Sequence, residues 1–211
     1  MAIRAVIFDL GGVVFGSPLH AIAAYERERG IAPGSVNRVV VAAGAEGAWG
    51  RLERGLVGIA AFAPAFEAEC AVAGFAIDAL AMMDRMAAAS QPRPIMLAAI
   101  RTLRERGFRV AALTNNWPSE ERGGGASRDL RGQFDGFFES SVLGLQKPDL
   151  RIYRHACTEL SIAPEEAVFL DDIGRNLKAA RALGMATIKV DSPEQALADL
   201  AVLLGIPAFF P

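Results

Sequence analysis

The sequence predicts an α/β protein: a doubly wound, Rossmann-like parallel sheet with an inserted helical cap domain. Three observations carry this. Residues 3–14 form a Val-, Ile- and Phe-rich run that passes through Asp9 into Gly11 and Gly12, as a buried parallel strand does when it reaches the ligand rim of an open sheet. Residues 17–90 are Ala-rich and helical in pattern, with no strand among them. From residue 95 onward, helical and strand patterns alternate to the end of the chain, the signature of βα units in a parallel sheet.

Taken in order, Ser17 and Pro18 open a helix as cap and first-turn proline, ending near Gly30. Further helices are expected over 35–43, 59–71 and 77–89, punctuated by glycines and Pro64. Pro92 and Pro94 mark the return linker. The expected division is therefore a core made of 1–16 and 91–211, and a helical cap over 17–90. An amphipathic helix over 95–106 stops at Gly107, and a strand over 108–113 leads into Thr114-Asn115-Asn116. Residues 121–127, with Gly123, Gly124 and Gly125, read as a loop. A short strand over 137–140 precedes Lys147-Pro148-Asp149, where Asp149 caps a helix to 160. A strand over 167–170 closes in Asp171-Asp172. A helix over 174–183, a strand over 186–190 and a helix over 193–204 complete the chain.

The 211 residues are 52% apolar, enough for one sizeable core and a smaller appended unit. A net charge of −2 offers no broad basic field, so nucleic acid is not expected as a partner. Cys70 and Cys157 stand far apart in apolar or helical surroundings and imply no disulfide framework. Arg4 and Asp9 interrupt the first apolar run, and no stretch reaches spanning length, so a soluble cytoplasmic protein is expected, with no membrane partner. Monomer and homodimer both remain open.

Four strand ends carry polar groups: Asp9, Thr114 with Asn115, Lys147, and the pair Asp171 and Asp172. Each has a plainer role as a cap or turn residue. Parallel strands, however, aim their carboxyl ends at one rim, so these groups converge. Facing carboxylates repel unless a cation or a proton intervenes, and Mg²⁺ suits a site of few carboxylates beside a phosphate. The backbone carbonyl of Gly11 offers a further oxygen. A hydroxyl, an amide and an ammonium are suited to the nonbridging oxygens of a phosphoryl group.

On these residues the chain resembles the haloacid dehalogenase superfamily. The likeness lies in Phe8-Asp9-Leu10-Gly11-Gly12-Val13, Leu113-Thr114-Asn115-Asn116, Lys147-Pro148-Asp149 and Phe169-Leu170-Asp171-Asp172 with Gly174 and Asn176. Within that superfamily it looks like the N-terminal phosphatase domains of soluble epoxide hydrolases and of acyl-CoA dehydrogenase fusion proteins. The resemblance implies a hydrolase in which Asp9 attacks phosphorus to form an aspartyl phosphate that water then hydrolyses. It implies phosphate binding by Thr114, Asn115 and Lys147, with Lys147 bridging nucleophile and phosphate. Mg²⁺ would be held by Asp9, the Gly11 carbonyl and Asp172, and supported by Asp171 and Asn176. Members that are phosphatases usually place a second aspartate two residues after the nucleophile, as general acid and base. Here that residue is Gly11, and such catalysis contributes typically ~10²–10⁴-fold.

Three functions follow. The first is a Mg²⁺-dependent phosphohydrolase or phosphotransferase on a small phosphorylated metabolite, with His20 and Glu53 as candidate replacement proton donors. The second is a phospholigand-binding domain with little or no turnover. The third, ranked last, is a 2-haloacid dehalogenase, a metal-free enzyme that would not want Asp171 and Asp172 together. Substrate identity would rest with the cap, whose densest group of specific side chains is Trp49, Arg51, Glu53 and Arg54.

Overall fold

The computed structural model describes residues 2–118 and 130–209, so the loop expected over 121–127 lies outside the described residues. Its centre is a five-stranded, wholly parallel sheet of β1 (Ala5–Phe8), β2 (Arg109–Thr114), β3 (Gly136–Glu139), β4 (Ala167–Asp171) and β5 (Ala186–Lys189), in the order β3-β2-β1-β4-β5.

Helices cover both faces, and the period-two alternation of the strands decides which side chain meets which layer. Val6, Phe8, Val110, Ala112, Val168 and Leu170 pack against α6 (Pro94–Glu105) and α10 (Pro193–Leu204). Their neighbours Ala5, Ile7, Ala111, Leu113, Ala167 and Phe169 face α8 (Leu150–Glu159) and α9 (Gly174–Ala182). Burial on both sides is why these strands read as continuous apolar runs.

Between β1 and α6 lie five helices: α1 (Pro18–Glu28), α2 (Ser35–Ala43), α3 (Ala48–Glu53), α4 (Ile59–Val72) and α5 (Ala79–Ala89). They share a buried cluster of their own, in which Tyr25, Leu52, Phe62, Phe66, Met82 and Met83 are essentially inaccessible. Trp49 sets its ring edge-on to Phe62 and Phe66 at 5.4 and 5.3 Å. The chain enters and leaves this segment side by side. Phe15 pairs with Pro92, the Gly16 N–H donates to the Gln91 carbonyl at 3.0 Å, and the Arg93 N–H to the Val14 carbonyl at 2.8 Å.

Several local expectations are adjusted. α3 and the one-turn helix α7 (Ser140–Leu143) have too few residues to show a helical period and were not foreseen. Pro64 sits inside α4, which runs through it as the expected helix over 59–71 does. Ser17 occupies the cap position of α1 without a side-chain bond, leaving Pro18 as the start signal, whereas Asp149 caps α8 through the Arg151 N–H at 2.9 Å.

Candidate active site

The strand order puts β1 at the point where the sheet changes winding direction, with β4 beside it. In open α/β sheets the crevice outside the carboxyl ends at such a point is where ligands bind. Phe8 pairs with Leu170 in register, and the Asp9 N–H donates to the Leu170 carbonyl at 2.8 Å, so Asp9 stands level with Asp171 on the neighbouring strand. Phe8 also pairs with Ala112, which places Thr114 at the same rim from the other side.

Lys147, in the loop before α8, reaches between the two acids. Its Nζ lies 2.9 Å from Asp9 Oδ1 and 2.7 Å from Asp171 Oδ2, and the residue is only 1% exposed. Asp171 is saturated by the protein: it also accepts from the Ile173 N–H at 2.7 Å and from Asn176 Nδ2 at 3.2 and 3.0 Å. Asp9 is not. The Leu10 N–H, at 2.7 Å, and Lys147 both address Oδ1, leaving Oδ2 without a hydrogen-bond partner among the described residues. Asp172 completes the group, and oxygen atoms of Asp9, Asp171 and Asp172 all lie within 4.8 Å of one another. Its Oδ1 is buried with no hydrogen-bond partner among the described residues.

The electrostatics follow from this crowding. Burial pushes the Asp9 carboxyl up to about 8, with Asp171 and Asp172 adding to the effect and Lys147 opposing it. Asp172 is pushed up to about 6, first by burial and then by Asp171. Burial works against the Lys147 ammonium, but Asp171 and Asp9 outweigh it and its shift is upward. The site thus holds more negative charge than one lysine balances. A cation or a proton resolves the excess.

A cavity opens above these groups. Its polar floor includes Asp9, Thr114, Asn115, Lys147 and Asp172, and its apolar wall includes Phe15, Ile22, Val40, Trp49, Met86 and Trp117. Every side chain expected from the sequence to touch a phosphate or metal reaches this cavity, and Gly11 and Asn176 line it as well. Asp171 lies beneath, buried completely. Asn115 is fixed by its own amide: Oδ1 accepts from the Lys147 N–H at 2.8 Å, and Nδ2 donates to the Lys147 carbonyl and to Glu53 Oε2, both at 3.1 Å. Of the two proton donors considered, Glu53 lines the cavity, while His20 is exposed on α1 and does not. Arg175 also lines it, at the start of α9, a role unforeseen although it lies inside the motif that follows β4.

Comparison with known proteins agrees with this architecture. A family model described as haloacid dehalogenase-like hydrolase matches residues 3–184. The chain belongs to the haloacid dehalogenase-like hydrolases. Among curated relatives, it is 36% identical over 207 residues to acyl-CoA dehydrogenase family member 10 of Mus musculus, covering 97% of this chain and 19% of that protein. It is 34% identical over 221 residues to bifunctional epoxide hydrolase 2 of Sus scrofa, covering 98% of this chain and 40% of that protein. This hydrolase therefore spans less than half the length of either relative. In fold it is similar to a haloacid dehalogenase family enzyme from Bacteroides thetaiotaomicron, solved in complex with magnesium and inorganic phosphate. That likeness has a TM-score of 0.62 and 19% identity, over 89% of this chain and 94% of the other. Among the described residues no helix of this hydrolase is long and apolar enough to cross a membrane.

Proposed function

We propose that this hydrolase is a Mg²⁺-dependent phosphohydrolase acting on a small phosphorylated metabolite, with Asp9 as nucleophile. The observation that carries the reading is the asymmetry at Asp9: Oδ1 is anchored by Lys147 and the Leu10 N–H, while Oδ2 is left to attack. Asp9 Oδ2 bonds to phosphorus as the ester P–O bond breaks. Water then adds to phosphorus, and the Asp9 carboxylate and inorganic phosphate are released. Thr114, Asn115 and Lys147 would hold the phosphoryl oxygens, Asn115 by giving up one of the two acceptors its Nδ2 now serves, and Lys147 would keep Asp9 oriented.

The residues present fit Mg²⁺. The donors are all oxygen, and Asp172 Oδ1 is a buried acceptor with no hydrogen-bond partner among the described residues. Asp9, Asp172 and the Gly11 carbonyl would hold the ion, while Asp171 and Asn176 brace the loop beneath. When bound, Mg²⁺ supplies positive charge that allows the carboxylates to ionise together and draws in the phosphate. The three acids side by side also disfavour a metal-free dehalogenase. The helical segment 17–90 serves as a cap over this site, joined to the 1–16 and 91–211 core by its two adjacent connections, and its apolar wall takes the non-phosphate part of the substrate.

The test is phosphate release from a panel of phosphorylated metabolites. The reading requires release that depends on Mg²⁺ and disappears in Asp9→Asn. Activity indifferent to EDTA or to that substitution would overturn it. Because Gly11 has no carboxyl, a second reading as a phospholigand-binding domain is kept, and calorimetric phosphate binding with no turnover on the panel would favour it.

A further inference from the structure

Gly11 brings no carboxyl to the cavity, yet one arrives from the opposite wall. Glu53 closes α3 and is half-buried there, with its side chain at the cavity beside Asn115 and Lys147. It is the one acid lining this cavity, among the described residues, that stands outside the Asp9, Asp171 and Asp172 cluster. Its position is fixed at three atoms. The backbone carbonyl accepts from Ser140 Oγ at 2.5 Å, Oε1 from Trp49 Nε1 at 3.0 Å, and Oε2 from Asn115 Nδ2 at 3.1 Å. Each carboxyl oxygen therefore takes a single bond and keeps a second site for a proton or a further donor. Asn115 is itself tied to Lys147, whose ammonium touches Asp9. A continuous bonded path thus joins Glu53 to the nucleophile.

We propose that Glu53 is the proton carrier of this site, the general acid for the departing alcohol and the base for the incoming water, in place of a side chain at position 11. This rests on the phosphohydrolase reading. In the first step Asp9 Oδ2 bonds to phosphorus, the ester P–O bond breaks, and the Glu53 proton passes to the departing oxygen. In the second, water adds to phosphorus, its proton passes to Glu53, and the bond between phosphorus and Asp9 breaks. Inorganic phosphate leaves and both carboxyl groups are restored.

Burial raises the Glu53 carboxyl above its ordinary range, although the Trp49 hydrogen bond, the Lys147 and Arg175 charges and the Asn115 bond all oppose this. The acid form required before attack is favoured accordingly. The charged groups around it are Lys147 and Arg175 from the core, Arg54 next along its own chain, and Asp9 and Asp172 across the cavity.

First-turnover rates with two esters test the assignment. The leaving group of p-nitrophenyl phosphate departs without a proton, whereas that of an alkyl phosphate needs one. Glu53→Gln turns one of the two accepting oxygens into a donor facing Trp49 Nε1 or Asn115 Nδ2, so part of the loss is common to both esters, and alcohol release is expected to slow by ~10²–10⁴-fold more than p-nitrophenol release. An equal loss on both esters would make Glu53 only a positioning residue for Asn115 and overturn the proposal, as would no loss on either. In the wild-type protein, which needs no variant to fold, the alkyl rate is expected to fall with rising pH faster than the p-nitrophenyl rate. The Asp9 titration is common to both esters and drops out of the ratio, so a constant ratio would also overturn the assignment. Wild-type protein inert to both esters would instead remove the phosphohydrolase reading, and this inference with it.

Discussion

Gly12 lies directly against the Asp172 carboxylate: a Cβ at Gly12 would fall 2.1 Å from Asp172 Oδ2. The backbone there has φ +79°, a conformation that costs an L residue roughly 1–2 kcal/mol. The second glycine after the nucleophile thus has both a steric and a conformational reason, and it sets how close the β1 and β4 loops come.

Gly12→Ala is accordingly expected to lower the thermal midpoint and to push Asp172 out of place. Thermal melts with and without Mg²⁺ measure both effects, since a displaced Asp172 reduces the stabilisation that the ion confers. A variant that melts like wild type and gains as much from Mg²⁺ would contradict the close approach.

Lys147→Met tests the buried charge balance. The ammonium is enclosed between Asp9 and Asp171, and removing one partner of such a group leaves uncompensated buried charge, at a cost of roughly 3–5 kcal/mol. Urea unfolding in EDTA reads the loss directly. A change of under about 1 kcal/mol would mean that the acids had taken up protons at little cost.

The pH dependence of stability has a defined sign. Asp9 is raised from 3.8 to about 8 and Asp172 to about 6, so within these windows the folded protein binds more protons than the unfolded chain. Stability therefore falls as pH rises through them. Comparison with Asp9→Asn isolates the Asp9 share: in EDTA, the wild-type protein should lose more stability than the variant as pH climbs toward 8. Mg²⁺ should restore it most at the upper end, where the carboxylates would otherwise repel. A wild-type curve parallel to that of the variant would refute the shift.

Gly11→Asp examines the missing side chain. Gly11 has φ −66° and ψ 125°, open to any residue, and its Cβ would meet Pro18 Cγ and Cδ at 3.3 Å, a contact that needs only a small shift of the proline. The variant should fold and should raise turnover of alkyl phosphates in the Glu53→Gln background, measured as steady-state phosphate release. Failure to rescue in a folded double variant would show that the cavity cannot use a carboxyl at position 11.

Much of this was legible beforehand. Asp9, Thr114 and Asp171 announce themselves because a parallel strand buried on both faces must be apolar until it reaches the rim, where the first polar side chain marks the ligand edge. α3 did not, since Ala48–Glu53 is too short to show a helical period and its place depends on docking against Ser140 and Asn115. Trp49 packs against Phe62 and Phe66, and its indole N–H also orients Glu53, which only the tertiary structure reveals.

From the order of residues alone came the parallel sheet, the helical insertion and the set of acids at the strand ends, because burial and hydrogen bonding leave a repeating αβ pattern few other ways to fold. Tertiary structure decided how those groups divide their work. It placed Lys147 between Asp9 and Asp171, left one oxygen of Asp9 and one of Asp172 without a hydrogen-bond partner among the described residues, and brought Glu53 over the cavity while leaving His20 outside. Such choices depend on ångström-scale distances between segments far apart in the chain, and local sequence carries no record of them.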